Sequence, residues 1–163
     1  MRVRTVIGVM GSGRPLDEAA LSVAKELGAM IARRGWVVLS GGRAEGVMDA
    51  ASRGAREAGG LVVGVLPDDD LAGASEHLDV AIRTGMGDGR NVINVLSSDV
   101  VIALPGGAGT LSEVALALNA DKTVIAVGWD PGPAMHDAAG GRLVLAGSPI
   151  EALARAAIEL EGR

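Results

Sequence analysis

The sequence predicts an α/β protein in which helices cover both faces of a doubly wound parallel sheet. Short apolar runs alternate along the chain with segments of helical period, which is typical of such sheets. Glycine-rich clusters follow several of these runs, at the positions where a parallel sheet binds ligands. With 163 residues, 48% of them hydrophobic and 21% charged, the chain is long enough for one domain, spanning residues 1–163, and too short for two ordinary ones.

Six apolar runs have the length and composition of strands. The predicted strands are Val3–Val9, Trp36–Leu39, Leu61–Leu66, a short edge strand near Leu78–Ile82, Val100–Leu104 and Thr123–Val127. Parallel strands need a crossover connection, so the segments between them should be helical. Asp17–Arg33 and Gly46–Ala58 have this character, because their apolar residues recur on one helical face.

Three further helices follow from local signals. Arg90–Leu96 is a short helical segment that leads into the fifth strand. Ser148–Leu160 opens with Ser148 as N-cap, Pro149 at the first helical position and Glu151 completing a capping box. Leu111–Ala120 is apolar nearly all round, whereas a surface crossover helix has only one face to bury. We therefore expect a homo-oligomer, at least a dimer.

The composition excludes several classes of function. A formal net charge of −5 and the absence of Phe and Tyr argue against a nucleic-acid grip, which needs a basic surface and aromatic platforms. The absence of cysteine excludes disulfides and thiolate metal sites, and it fits a reducing compartment such as the cytoplasm. No stretch reaches the roughly 20 apolar residues of a membrane helix. We expect a cytoplasmic protein that binds neither nucleic acid nor membrane.

Glycine clusters follow four of the predicted strands, at Gly8–Arg14, Ser40–Arg43, Gly85–Asn91 and Pro105–Thr110. In an open parallel sheet the ligand crevice lies outside the carboxyl ends of the strands, so at least three of the clusters should meet there. Three of them also carry an arginine. Glycine lets backbone N–H groups approach a ligand, and arginine offers a planar fork for phosphate oxygens. These features predict an anionic ligand, in particular a phosphoester.

The sharpest signal is the segment Pro105-Gly106-Gly107-Ala108-Gly109-Thr110-Leu111-Ser112-Glu113, between a strand and a helix. Helix amides would converge there on a phosphate. The alternative is a tight turn in which Thr110 and Glu113 form a capping box, and both can hold together. The candidate ligand-binding residues are Gly11, Ser12, Gly13, Arg14, Gly41, Gly42, Arg43, Arg90, Asn91, Gly106, Gly107, Ala108, Gly109, Thr110 and Glu113.

Other kinds of site lack their residues. The first glycine cluster does not match the Gly-x-Gly-x-x-Gly dinucleotide pattern, and no P-loop is present. Only two lysines, Lys25 and Lys122, are available for pyridoxal phosphate, and neither follows a strand. The two histidines, His77 and His136, are far apart with no third ligand indicated, so we expect no metal site built by the protein.

With these residues in view, the chain resembles the LONELY GUY phosphoribohydrolases, a Rossmann-like superfamily, from roughly Val3 to Val127. Its glycine motif, from Pro105 to Glu113, is similar to the family's Pro-Gly-Gly-x-Gly-Thr-x-x-Glu, and Gly41-Gly42 with Gly46-Val47-Met48 resembles the family's glycine turn and helix start. Arg90 lies at the spacing of the arginine that works with the motif glutamate in those enzymes. If the chain is a hydrolase of a nucleoside monophosphate, the resemblance implies Arg90 and Glu113 as its catalytic residues.

Two departures favour another branch of the superfamily. The hydrolases usually carry Arg-Lys where this chain has Arg90-Asn91, and often an aromatic residue where it has Ala108. The run Gly85–Asn91 looks more like the molybdenum cofactor carrier proteins, small homo-oligomers that hold the pyranopterin phosphate. The first interpretation is therefore a carrier that protects the molybdenum cofactor for delivery to molybdoenzymes, without catalytic residues. The alternatives are the phosphoribohydrolase and a regulatory nucleotide sensor.

Overall fold

Residues 3–14 and 16–162 are described by a computed structural model of the chain. Within them lie seven strands: β1 (Val6–Met10), β2 (Val37–Ser40), β3 (Val62–Leu66), β4 (Val80–Arg83), β5 (Val100–Ala103), β6 (Val124–Val127) and β7 (Leu143–Ala146). The helices of the same residues are α1 (Glu18–Arg33), α2 (Gly46–Glu57), α3 (Arg90–Leu96), α4 (Ala108–Asn119), α5 (Pro133–Ala139) and α6 (Pro149–Glu161), with a 3₁₀ turn at Gly87–Gly89 before α3.

The strands form one parallel sheet in the order β4-β3-β2-β1-β5-β6-β7. Helices α1, α2 and α6 pack on one face of the sheet, where Leu27, Ile31 and Leu153 are fully buried. Helices α3, α4 and α5 cover the other face through Val95, Val114 and other buried side chains. This arrangement confirms the predicted doubly wound, Rossmann-like α/β fold.

The direction in which the chain winds across the sheet reverses beside β1. The first half of the chain runs from β1 outward through β2 and β3 to β4, and the second half starts again at β5, on the other side of β1. The register continues to the strand ends, where Met10 pairs with Ala103. A reversal of this kind leaves a crevice between the loops that follow the two central strands.

Two glycines bring α1 and α2 into close contact. A Cβ atom on Gly28 would collide with the carbonyl oxygen of Ala51, and a Cβ on Gly54 would collide with that of Lys25. Any side chain at either position would therefore push the two backbones apart. The adjacent surface carries an ion pair between Lys25 and Glu57, at 2.7 Å.

Several predicted boundaries differ from those of the structure. β2 begins at Val37 rather than Trp36, because the N–H of Trp36 bonds to the carbonyl of Ile31 at the end of α1. β1 runs from Val6 to Met10, not Val3–Val9, since its last residue still pairs with β5. β7 and α5 were not predicted. Both are short, with four residues in β7 and seven in α5, and Leu145 on the edge strand β7 is 43% exposed.

The start of α6 shows the predicted cap. Ser148 is the N-cap, and its hydroxyl accepts a hydrogen bond from the N–H of Glu151 at 3.2 Å. The Glu151 carboxylate, however, accepts from the N–H of Gly147 rather than Ser148, at 2.9 Å. No helix within residues 3–14 and 16–162 is both long and apolar enough to cross a membrane.

Candidate functional site

A cavity of about 520 Å³ lies at the carboxyl ends of the strands, where the winding of the sheet reverses. Its walls come from the loop after β1, the end of β2 with the start of α2, the 3₁₀ turn with the start of α3, and the start of α4. The lining residues are Val9, Met10, Gly11, Ser12, Gly13, Arg14, Gly41, Met48, Asp88, Arg90, Asn91, Gly106, Gly107, Ala108, Gly109, Thr110 and Glu113.

Backbone hydrogen bonds join three of these walls through Ser12. The N–H of Ser12 bonds to the carbonyl of Pro105, after β5, at 3.2 Å, and the carbonyl of Ser12 accepts from the N–H of Val47, in α2, at 2.9 Å. Gly46 has a φ of 54°, and a Cβ there would collide with the Ser12 carbonyl. The sequence Gly46-Val47 therefore allows α2 to start in contact with the loop after β1.

The first N–H groups of α4 line the cavity and have no hydrogen-bond partner within residues 3–14 and 16–162. Gly107 is the N-cap and supplies no side-chain cap, and the N–H of Leu111 makes the first helical bond, to Gly107, at 3.0 Å. The N–H groups of the residues between them, Ala108 to Thr110, have no acceptor within the helix, because the carbonyl four residues before each of them lies outside it. With the positive end of the helix dipole, they form a site that attracts an anion.

The glycines of the cavity fall into two groups. A Cβ on Gly106 would collide with the side chain of Thr110, and one on Gly41 would collide with the guanidinium of Arg90, so internal packing requires glycine at both. Gly107 and Gly109 differ, because a Cβ on either would meet no atom within 4 Å. Packing among the described residues does not explain these two glycines. They leave space in the cavity wall next to the unpaired N–H groups of α4.

Arg90 opens α3 and projects its guanidinium into the cavity wall. Its Nη1 donates to the carbonyl of Val65, at the end of β3, at 2.9 Å. Its Nε is buried and has no hydrogen-bond partner among the described residues. Burial lowers the pKa of Arg90, and the negative charge of Glu113 opposes this shift. The arginine is therefore fixed by one bond and retains a donor for a further acceptor.

Glu113 lies in α4 with 7% of its surface exposed. Its Oε1 accepts a hydrogen bond from Nδ2 of Asn94 at 2.9 Å. Burial raises the pKa of the Glu113 carboxyl, against the opposing effects of the Asn94 bond and the Arg90 charge. The predicted capping alternative is wrong, because α4 starts three residues earlier than Leu111 and Glu113 bonds to α3 instead of to Thr110.

Asn91 and Ser112 join α3 to α4 beside the cavity. Nδ2 of Asn91 donates to the Ser112 hydroxyl at 3.2 Å, and this hydroxyl donates to the carbonyl of Gly109 at 2.6 Å. Asn91 is itself buried. The position of the glycine motif is therefore set by a side chain that lies 21 residues earlier in the chain.

The structure gathers most of the predicted site residues and leaves two outside. Gly42 has a φ of 74° and packs on Gly64, and a Cβ there would lie 3.0 Å from the Cα of Gly64. Arg43 pairs with Asp68 at 3.0 Å, beside a different surface pocket. Neither lines the cavity.

Four lining residues were not predicted, namely Val9, Met10, Met48 and Asp88. Met48 belongs to the Gly46-Val47-Met48 helix start, and Asp88 lies inside the third glycine cluster. Both stood within segments that the sequence marks as part of the site. What the pattern did not reveal is that their side chains face the same cavity as the glycine motif.

The site as a whole can hold an anion by backbone N–H groups and arginine. It also contains one buried carboxyl group whose pKa burial raises, and this is the kind of group that can transfer a proton. The geometry thus accommodates either simple binding of a phosphorylated ligand or hydrolysis of one.

Two solved structures resemble the chain over nearly its full length. The molybdenum cofactor binding protein of the phototrophic bacterium Rippkaea orientalis has a TM-score of 0.94 and 43% sequence identity, covering 98% of this chain and 99% of that one. The Moco carrier protein of Chlamydomonas reinhardtii has a TM-score of 0.92 and 41% identity, covering 99% and 100%.

A similarity to enzymes is more limited. Cytokinin riboside 5'-monophosphate phosphoribohydrolase of Mycobacterium tuberculosis is 38% identical over 112 residues, which are 66% of this chain and 59% of the enzyme. The match therefore spans less than two thirds of that enzyme's length. The sequence profile of the SLOG cluster4 family matches residues 4–152. That match covers most of the sequence, and the chain belongs to the SLOG cluster4 family.

Proposed function

We propose that this protein binds the molybdenum cofactor and carries it, protected, to molybdoenzymes in the cytoplasm. One observation carries the proposal: the likeness to a molybdenum cofactor binding protein and to a Moco carrier protein extends over nearly the whole of both chains. The likeness to the hydrolase covers only part of each chain. In this proposal residues 1–163 form one ligand-binding domain, and no residue acts as a catalyst.

The cavity suits the phosphate of such a ligand. The open space at Gly107 and Gly109 lets a phosphate approach the free N–H groups of α4, where a side chain would block it. Arg90 lines the cavity, and its guanidinium carries N–H groups beyond the one that bonds to Val65, so it can also donate to the phosphate. We assign the phosphate contacts to Gly106–Thr110 and Arg90, with Gly11–Arg14 and Gly41 as neighbouring walls.

The rest of the cavity suits an organic ring system. About 520 Å³ lies within the range of small-molecule sites. Met48, half-buried in the cavity wall, supplies an apolar side chain, and its thioether adapts to irregular ligand shapes. Holding a pyranopterin there needs no proton transfer. It needs only contacts on several sides that limit the access of water.

The deciding experiment is retention of the cofactor by the purified protein. We expect that molybdenum and pterin elute with the protein when it is mixed with released molybdenum cofactor and passed through gel filtration. Arg90→Ala should lose this retention, whereas Arg155→Ala, an exposed arginine on α6, should keep it. Elution of free cofactor from the unaltered protein would contradict the proposal.

A second function has one observation in its favour. Glu113 is buried in the cavity wall with a raised pKa, and Arg90 acts on its charge, as a proton-transferring pair would require. A phosphoribohydrolase would release adenine from adenosine monophosphate, and Glu113→Gln would lower turnover by at least ~100-fold with binding kept. Adenine release that disappears in this variant would replace the carrier with the hydrolase.

We also propose that the chain forms a homodimer or homotetramer through α3 and α4. On this surface Val92 is 41% exposed and Leu96 60% exposed, and Ala115 of α4 is exposed beside half-buried Leu116. A second copy would cover these side chains. Leu96→Glu should then shift sedimentation toward the single chain, and Ile158→Glu, on the far helix α6 with 66% exposure, should not. A single 16.3 kDa species for the unaltered protein would contradict this.

A further inference from the structure

The cavity has two chemically opposite parts. The start of α4 and the guanidinium of Arg90 attract an anion, as described above. Close to them stands a carboxylate, that of Asp88, on the 3₁₀ turn Gly87–Gly89 that leads into α3. A carboxylate repels a phosphate. A cavity that only had to hold phosphate would gain from its absence.

The Asp88 carboxylate has no bonded partner among the described residues, although its negative charge acts on Arg90, where it opposes the lowering of that pKa by burial. It makes no hydrogen bond and no ion pair with any residue in the described ranges, in contrast to Asp68, which is paired with Arg43. Its backbone is nevertheless well anchored. The N–H of Gly87 bonds to the carbonyl of Pro67 at 2.9 Å, and that of Gly89 bonds to the carbonyl of Met86 at 3.1 Å. The backbone that carries Asp88 is therefore held in place, and both oxygens of its exposed carboxylate are available to a ligand.

We propose that Asp88 selects a ring that carries two adjacent hydrogen-bond donors, as the 2-amino-4-oxo edge of pterin and guanine does. A carboxylate is a pure acceptor with two oxygens side by side, so it matches a ring N–H next to an amino group. This inference rests on the proposed function, since it concerns the ring of the ligand whose phosphate α4 holds. It adds the edge of the ring that is recognised and the residue that recognises it.

The same geometry disfavours adenine. Its corresponding edge offers one amino donor beside a ring nitrogen that is an acceptor, and the lone pair of that nitrogen would face a carboxylate oxygen. Leaving a polar group opposed in this way costs more than a missing contact. An asparagine at position 88 would reverse the preference, because an amide offers one acceptor and one donor and thus matches adenine.

The test uses three probes: guanosine 5'-monophosphate, adenosine 5'-monophosphate and ribose 5-phosphate, titrated calorimetrically at one salt concentration. We expect the unaltered protein to bind the guanine nucleotide about 10-fold more tightly than the adenine nucleotide, the scale of one charge-assisted hydrogen bond. In Asp88→Asn this preference should vanish or invert. Ribose 5-phosphate should bind the variant at least as well as the unaltered protein, because a like charge is removed.

Asp69→Asn is the matched control. Asp69 is exposed and equally unpaired within the described part of the chain, but it lies on the loop after β3, outside the cavity. It should keep the guanine preference. Equal binding of the two nucleotides by the unaltered protein, or a guanine preference that survives in Asp88→Asn, would overturn the role of Asp88. Failure of all three probes to bind would instead overturn the phosphate site on which the inference depends.

Discussion

The polar groups at the amino end of the sheet and those beside the cavity at its carboxyl end differ in their hydrogen bonding. At the amino end, carboxylates complete the hydrogen bonding of the strands: Asp99 accepts from the N–H of Val6 at 2.8 Å, and Asp79 accepts from that of Val62 at 2.9 Å. Lys122 donates there to the last carbonyls around α3. At the carboxyl end, within the part of the chain that the structure describes, the first N–H groups of α4 have no acceptor in the helix and no side-chain cap, and Nε of Arg90 is buried without a partner.

This difference supports the carboxyl end of the sheet as the binding end of the molecule. Folded proteins satisfy nearly all buried polar groups, because an unsatisfied one costs about 1–3 kcal/mol. Nε of Arg142, just before β7, is likewise buried without a partner in the described residues, so a missing partner alone does not mark a site. The first N–H groups of α4 and Arg90 differ in that they line the cavity, and we expect a ligand to supply their acceptors. The glycines differ in a related way. Helix packing requires Gly28 and Gly54, between α1 and α2, but no neighbour requires Gly107 or Gly109 at the start of α4.

The largest effect on binding should come from adding a side chain at Gly107, one of the glycines that packing does not require. Gly107→Val should abolish binding of phosphate and cofactor, a loss of at least ~100-fold, because the branched side chain fills the space before the N–H groups of α4. The melting temperature should hardly change, since a Cβ there meets no neighbour. Titration with phosphate and thermal unfolding measure the two effects.

Gly54→Val is the matched substitution outside the site. It should destabilise the protein by about 3 kcal/mol, because its Cβ would collide with the backbone of α1. Ligand binding by the remaining folded fraction should be unchanged. If Gly107→Val bound phosphate as well as the unaltered protein, the glycines of α4 would serve only the turn.

A smaller loss is expected from Arg90→Ala. A charge-assisted hydrogen bond contributes about 1.5–3 kcal/mol, so cofactor or phosphate affinity should fall tenfold to hundredfold. The carbonyl of Val65 loses its donor but can bond to water in the widened cavity, so stability should change less than affinity. Competitive displacement measures the affinity. Unchanged affinity would remove Arg90 from the phosphate site.

At the amino end of the sheet, Asp99→Ala should lower stability and leave phosphate binding unchanged. The N–H of Val6 would lose its acceptor, and the free energy of unfolding should fall by about 1–2 kcal/mol. Affinity for phosphate should stay the same, because the residue lies at the far end of β5. Chemical denaturation and titration together check this. If Asp99→Ala lost phosphate affinity and kept its stability, the amino end of the sheet would also take part in binding.

The smallest effect should be that of Glu113→Gln, and it depends on pH. Burial raises the pKa of Glu113 in the folded state, so between its ordinary value of 4.5 and the raised value the folded protein holds more protons than the unfolded chain. The stability of the unaltered protein therefore falls as pH rises through this window. The glutamine variant escapes this loss and still accepts the bond from Asn94.

Melting curves of both proteins at pH 4 and pH 7 test this directly. The variant should gain on the unaltered protein as pH increases, by a few degrees, and cofactor retention should be kept. A gain at pH 4 that disappears at pH 7 would have the wrong sign. It would mean that the ionised form of Glu113 is the one the fold favours.

The sequence predicted much of the fold, because the strand core is a series of continuous apolar runs. Six of the seven strands found in the described residues were expected within a few positions. The start of β2 and the start of α4 were misplaced because the deciding contacts are tertiary: Trp36 bonds to the end of α1, and Glu113 to Asn94. A local capping pattern cannot show that its glutamate has a stronger partner on another helix.

The site was predicted in outline by its glycines, and less well in its side chains. Arg43 and Arg90 look alike in sequence, since each follows glycines after a strand. In the structure Arg43 is paired with Asp68, and Arg90 is held by a backbone carbonyl at the cavity. Which arginine meets an acid depends on the loop after β3, and no spacing within either cluster encodes that.

The hydrogen bonds of Ser12 have a consequence for how fast a ligand leaves. They connect the loops after β1 and β5 and the start of α2, so the walls of the cavity are joined before anything binds. A site prepared in this way loses little conformational entropy on binding, and affinity gained by preorganisation is expressed mainly as slow dissociation. A carrier built so would release its cargo slowly when alone. Rapid transfer would then require the receiving protein to separate these loops.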